Sequence, residues 1–226
     1  MIQRDTLNFL HTPKSFEFTG KYNIPVVKGV SLKNPDKFDP KLVEFHLANK
    51  LDPKERKEHV VHFFLDDYLF ERTWSRVDDN TRFLSGFKAV LSPDFSQYTN
   101  MPEALRIYNH YRKMWISAYW QSFGITVIPV ICWSDKESFD YCLDGMPKNS
   151  LVAVSSVGCK RFEQEFRYGY EKALDILQPS KVLFYGKKFD WLDEDKTIFV
   201  KSCCDKRFDI LRQKEAERAK EQGDNT

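Results

Sequence analysis

The chain has 226 residues, 42% of them hydrophobic and 30% charged, with a net charge of +2. That composition suits one folded domain with a sizeable core and excludes a long disordered tail. The near-neutral charge argues against a protein wholly given over to nucleic acid, and no run of 18 apolar residues reads as a membrane span.

Aromatic residues are abundant, with Phe at 19, and the simplest use for them is a large buried core. The five cysteines, Cys132, Cys142, Cys159, Cys203 and Cys204, form no CxxC pair, and no signal peptide precedes them. This predicts free thiols in the reducing cytoplasm of a bacterial host.

Residues 1–59 are rich in turn-formers and predict an irregular segment packed on the rest. Within it, Ile24 to Val30 reads as an opening strand, and Pro40 to Lys50 as a short helix capped by Asp39. The charged run from Asp52 to His59 reads as a solvated connection. An α/β core follows over residues 60–205. Its apolar runs are VVHFFL (60–65), FKAVL (87–91), ITVIPVICW (125–133), LVAVSSV (151–157), KVLFY (181–185) and the weaker TIFV (197–200). Near-continuous β-branched runs describe strands buried on both faces, and Pro129 predicts a bulge or edge inside the third.

Helical patterns lie between the runs. Asn100 to Glu103 and Ser134 to Glu137 each have the spacing of a capping box. The helix after Asn100 carries Trp115, Tyr119 and Trp120, expected in the core, with Arg106, Arg112 and Lys113 expected on the wet face. After the fourth strand, Phe162, Phe166, Tyr170, Leu174 and Leu177 form an apolar stripe that stops at Pro179. Alternating strands and helices predict an α/β fold with a mainly parallel sheet, either a partial or distorted barrel or an open doubly wound sheet. Residues 206–226 read as a charged tail, and the whole as one structural domain.

Sites in parallel α/β folds form beyond the carboxyl ends of the strands. Those ends hold Asp66 and Asp67, then Asp94 and Ser96, then Trp133, then Ser156 and Gly158, then Gly186 and Lys187. The three carboxylates are the candidate catalytic groups, since crowding raises one pKa. Asp66 and Asp94 are also the candidate ligands for Mg2+ or Mn2+, which prefer oxygen. Asp67 is expected to cap or to pair with Arg72. Ser96, Trp133, Ser156, Gly158, Gly186 and Lys187 are the candidate ligand contacts. The turn from Ser155 to Lys160 could offer backbone N–H groups to a phosphate, although it lacks the Walker pattern. His62, flanked by Val61 and Phe63, reads as a packed histidine.

Four stretches carry a resemblance: VHFFLDDYLFERTW (61–74), LSPDFSQYTNMP (91–102), AYWQSFGITVIPVICW (118–133) and VAVSSVG (152–158). They resemble a family of bacteriophages and mobile elements of Gram-positive bacteria, domain of unknown function 4417. The resemblance implies a phage or mobile-element accessory protein and supplies no reaction or cofactor. Two readings of function stand. One is a strand-end site for metal-dependent hydrolysis or for a small anionic phosphate ligand. The other is a non-catalytic protein that binds a host protein or nucleic acid; neither involves a membrane.

The segment Arg212 to Thr226 has no apolar stripe to bury. Its removal is expected to shift the melting temperature by no more than about two degrees, measured by differential scanning fluorimetry, because unpacked surface contributes little stability.

Overall fold

The six apolar runs of the core and residues 41–44 become parallel strands that pair in chain order within two groups. A computed structural model of the chain describes residues 16–32, 34–159 and 161–202. The N-terminal part contributes a small antiparallel pair, β1 (Phe18–Thr19) and β2 (Ile24–Pro25). The main sheet then runs β3 (Lys41–Glu44), β4 (His59–His62), β5 (Ala89–Leu91) and β6 (Val127–Ile128), all parallel. A second group, β7 (Leu151–Ser155), β8 (Lys181–Tyr185) and β9 (Thr197–Val200), is also parallel. A parallel bridge between Val130 and Ala153 joins the two groups edge to edge.

The helices are α1 (Pro53–Arg56), α2 (Arg72–Ser75), α3 (Val77–Leu84), α4 (Glu103–Ser122) and α5 (Glu163–Leu177). A doubly wound sheet would reverse its strand order at a switch point. Here each strand lies beside its predecessor, as in barrel winding. The barrel does not close, since β3 and β9 are not paired among the described residues.

Alternation along the strands sorts side chains to two faces. Val60, Leu91, Ile128, Ala153 and Leu183 pack together on one face, where Val30, Leu32 and Phe38 lie against them. Val61, Val90 and Val127 take the other face, against Trp115, Ile116 and Trp120 of α4. Val152, Val182 and Phe184 likewise meet Phe166, Tyr170 and Leu177 of α5. His62 is buried in the sheet, its ring 4.7 Å from that of Tyr185 and its Nδ1 accepting from the Phe64 amide.

Several local expectations are overturned. The opening strand is confined to Ile24–Pro25. Residues 41–44 are strand β3, not a helix, because Leu42 and Val43 pair with Val60 and Val61. Sheet pairing here overrides the Asp39-Pro40 cap signal. Conversely, the connection at Asp52 holds a short helix, with Asp52 and Glu55 forming a capping box. The two boxes expected later do not form: α4 begins after Pro102 without a side-chain cap. At the second, the element is a short 3-10 turn, Glu137–Asp140, and Asp135 rather than Ser134 accepts from the Ser138 amide. In α5, Phe166, Tyr170 and Leu177 are buried, whereas Phe162 is exposed. Pro129 ends β6 as a regular strand, yet its carbonyl still accepts from the Ala153 amide.

The largest correction concerns α4. Arg106, Arg112 and Lys113 are buried, not on a wet face. The helix packs on the sheet with one side and against the N-terminal segment with another, where Gln121 exchanges two hydrogen bonds with the Lys28 backbone. No helix among the described residues is long and apolar enough to cross a membrane. The charged tail, Cys203 and Cys204, and Lys160 lie outside the described residues.

Trp115 and Trp120 are fully buried, with Trp120 stacked on Phe63 at 5.7 Å and Trp115 on Tyr119 at 5.0 Å. Replacing either with Ala is expected to remove about 3 to 5 kcal/mol of stability in urea unfolding. A loss below about 1 kcal/mol would contradict this packing.

Candidate functional site at the strand ends

Beyond β4 the chain turns at once, so successive aspartates point in different directions. Asp66 is exposed and caps nothing with its side chain. Asp67 turns toward the loop after β5, where its carboxylate accepts from the Ser96 amide at 3.1 Å and the Ser96 hydroxyl at 3.0 Å. Its ion partner is Arg112, at 3.7 Å, and not Arg72, whose guanidinium lies over the Phe45 ring. Arg112 is held on every side. It donates to both oxygens of Glu71 at 2.7 and 2.8 Å and to Asn109 at 3.0 Å, and it stacks on Phe95 at 3.6 Å. Asn109 closes the circle by donating to the Ser96 carbonyl at 2.6 Å.

Asp94 and Asp67 are therefore the pair that the structure brings near one another, and Asp66 stands outside. Burial raises the Asp94 carboxyl to about 6; Lys113 and a hydrogen bond to Cys132 oppose that rise, and the Asp67 charge adds to it. One Asp94 oxygen, Oδ1, is buried without a hydrogen-bond partner. Lys113 reaches this region from α4, 2% exposed, its Nζ donating to the Val130 carbonyl at 3.1 Å. That contact has a local cause. Pro129 breaks the regular strand, and the Val130 carbonyl beside the break receives the ammonium.

The surroundings are polar and closed. Burial, then the Asp94 charge, pushes the Cys132 thiol well up, so it is a neutral donor and not a thiolate. His110 donates from Nε2 to the Asp144 carbonyl at 3.0 Å, and burial and Lys113 hold its pKa well below the usual value. Its Nδ1 and the nearby Tyr141 hydroxyl are also buried without hydrogen-bond partners. Buried polar atoms are ordinarily paired, and these two positions and Asp94 Oδ1 depart from that rule. Behind them, the Ser92 and Ser117 hydroxyls hydrogen-bond at 2.9 Å, tying β5 to α4.

The other expected contacts lie at the ends of the later strands. Ser156 is buried; its hydroxyl accepts from the Lys187 amide at 2.8 Å and donates to the Lys187 carbonyl at 3.2 Å, fastening the ends of β7 and β8. Gly186, at φ +120°, fits because a Cβ would stand 2.5 Å from that hydroxyl. The Lys187 ammonium lies 3.8 Å from Glu163 and over the Phe189 ring. Trp133 packs on Phe166 at 5.1 Å, and Gly169 makes room for its indole. Gly158, at φ +83°, faces open space. Cys159, in the same loop, is close enough that the Asp94 charge adds to the burial that pushes its thiol to about 11.

Among the described residues, no group of three or more His, Cys, Asp or Glu side chains is placed to hold a metal ion. Lys113, Cys132, Asn109 and Arg112 are the participants that the sequence reading missed. A signal existed: from Met114 to Trp120 every position but Ser117 is apolar, too wide a band for a helix covered on one side only.

An open, barrel-wound parallel α/β protein with polar residues gathered at the carboxyl ends of β4 to β6 is the class that fold and site define. The chain belongs to the family described as a domain of unknown function, DUF4417, whose profile matches residues 16–202. It is 41% identical over 187 residues to the Gene 1 protein of Mycobacterium phage L5, covering 81% of this chain and 78% of that protein. It is 40% identical over 161 residues to the Gene 1 protein of Mycobacterium phage D29, covering 68% of this chain and 60% of that protein. No solved structure matches.

Because the folded pKa of Asp94 lies above its unfolded value, its ionisation opposes folding. The penalty is absent below about pH 4 and grows as pH rises through about 6. Asp94→Asn is therefore expected to be more stable than the parent at pH 8, by at most about 3 kcal/mol at 1.36 kcal/mol per pKa unit. The difference should vanish near pH 4. Thermal unfolding of both proteins across that range checks it; a lower stability for Asp94→Asn at pH 8 would mark the carboxylate as a structural tie.

Proposed function

We propose that the protein binds a small anionic ligand, a phosphate or a phosphate ester, at the carboxyl ends of β4 to β6. On this reading it promotes hydrolysis there, with Asp94 as the group that exchanges a proton. The observation that carries the reading is the Asp94 carboxyl itself: one oxygen buried without a hydrogen-bond partner, beside the buried Lys113 ammonium. A carboxyl titrating near 6 is ionised at neutral pH and basic enough to take a proton from an attacking water. Lys113 supplies fixed positive charge in a low-dielectric setting, where charge stabilisation is strongest. Asp67, Ser96 and Arg112 hold the loop that carries Asp94 and are positioning groups. Free thiols at Cys132, Cys142 and Cys159 accord with action in the cytoplasm of a bacterial host.

Thermal-shift titration with inorganic phosphate tests the site, since a ligand that binds only the folded state raises its stability. The melting temperature of the parent should rise with phosphate, and Lys113→Met should lose that rise. Parallel titrations with Mg2+ and Mn2+, on the parent and on Asp66→Asn, test the cation expectation. No shift in the parent with phosphate or either metal, or an equal phosphate shift in Lys113→Met, would contradict the proposal.

A further inference from the structure

A continuous row of aromatic rings runs along α4 beside α2, and it stands apart from the Asp94 site. Tyr108, Trp115 and Tyr119 follow helical spacing, and Phe123 comes just past the last turn. Trp74 of α2 stands edge-on to Tyr108 at 6.0 Å and to Trp115 at 5.7 Å. Trp115 stacks on Tyr119 at 5.0 Å, and the Phe123 ring lies 5.0 Å from that of Tyr119. Trp115 and Tyr119, in the middle of the row, are buried, but Phe123 is 60% exposed and Tyr108 43%. Covering rings of that size takes apolar area out of water, the main favourable contribution to association.

This chain itself brings a segment to the row. Phe16, the first described residue, sets its ring edge-on against Trp115 at 5.7 Å. The path of the chain there is fixed by the N-terminal strand pair. Pro25 lies against Gly145, where a Cβ would stand 2.3 Å from the Pro25 carbonyl and 3.1 Å from the Met114 side chain. Three residues further on, the Lys28 backbone exchanges two hydrogen bonds with Gln121. β2 therefore runs toward the carboxyl end of α4. β1 is antiparallel to it, and the Val26 amide donates to the Glu17 carbonyl, so the chain followed back from Thr19 to Phe16 runs the same way. The residues before Phe16 are thereby aimed at Tyr119 and Phe123. Phe123 is about 12 Å beyond Trp115 at 1.5 Å per helical residue, a distance that about four extended residues span. The 15 residues before Phe16 suffice, and Leu7, Phe9 and Leu10 among them are apolar. Because Phe16 already holds one end at the row, docking of this segment is intramolecular and needs far less affinity than a separate chain would. We propose that residues 1–15 dock along this row, with Phe9 and Leu10 against Phe123.

Photo-cross-linking of the full chain, with p-benzoylphenylalanine in place of Phe9, tests the contact. Mass spectrometry should find the cross-link within one chain, on α3 or on residues 115–123. No cross-link, or one elsewhere in the chain, would overturn the proposal. So would a cross-linked dimer on a denaturing gel, because the row would then belong to a second copy of this chain. The double variant Phe9→Ser, Leu10→Ser should lower the melting temperature by about 5 °C, as two apolar side chains lose their cover. Phe123→Ala should lower it as well, and the triple variant should lose less than the sum of the two, since both changes remove the same contact. An unchanged melting temperature in the double variant, or strict additivity in the triple, would equally overturn the docking.

Discussion

A buried ammonium is the constraint around which this structure is arranged. Lys113 is almost fully enclosed, and a charge left there with no partner at all would be costly. It is instead met by the Val130 carbonyl at 3.1 Å and by the nearby Asp94 carboxylate. Those two partners lie at the ends of β6 and β5, so the ammonium ties α4 to the sheet at the point where Pro129 interrupts it. The ammonium thus meets the break that Pro129 makes in the ladder, and it lowers the Asp94 value that burial raises.

Much of the fold was legible because parallel strands buried on both faces leave long β-branched runs. VVHFFL, LVAVSSV and KVLFY each hold a strand, and the alternation within them sorts His62 into the sheet and Val61 toward α4. Elements of four residues were harder. Lys41–Glu44 pairs as a strand only because β4 offers an edge, a long-range fact that the local Asp-Pro signal cannot contain. The box at Asp52 formed and those at Asn100 and Ser134 did not, although their spacing is alike. Spacing permits a cap; the approach of the preceding chain decides it.

The candidate site was legible in outline and not in its pairing. Polar residues placed where apolar runs stop do mark the edge of the sheet, and Asp94 and Asp67 both lie there. Which aspartate of the 66–67 pair faces Asp94 depends on the turn after β4, and that turn sends Asp67 to Ser96. The basic residues of α4 were misplaced for a simpler reason. A helix with wet and dry sides puts Arg and Lys in water, but α4 is covered by the sheet and by the N-terminal segment, so its cations must find partners inside. Three found them: Arg106 at Asp135, Arg112 at Glu71 and Asp67, and Lys113 at Val130. The hydroxyl of Ser156, expected as a ligand contact, is engaged by the Lys187 backbone across the ends of β7 and β8.

The central claim is that Asp94 is a perturbed carboxyl governed by its burial and by Lys113. NMR titration of the Asp94 side-chain carboxyl carbon measures this directly, in the parent and in Lys113→Met. The account predicts a midpoint at about 6 in the parent, moving higher when the ammonium is removed, because Lys113 lowers the value that burial raises. A midpoint near the ordinary 3.8, or one indifferent to Lys113, would contradict it.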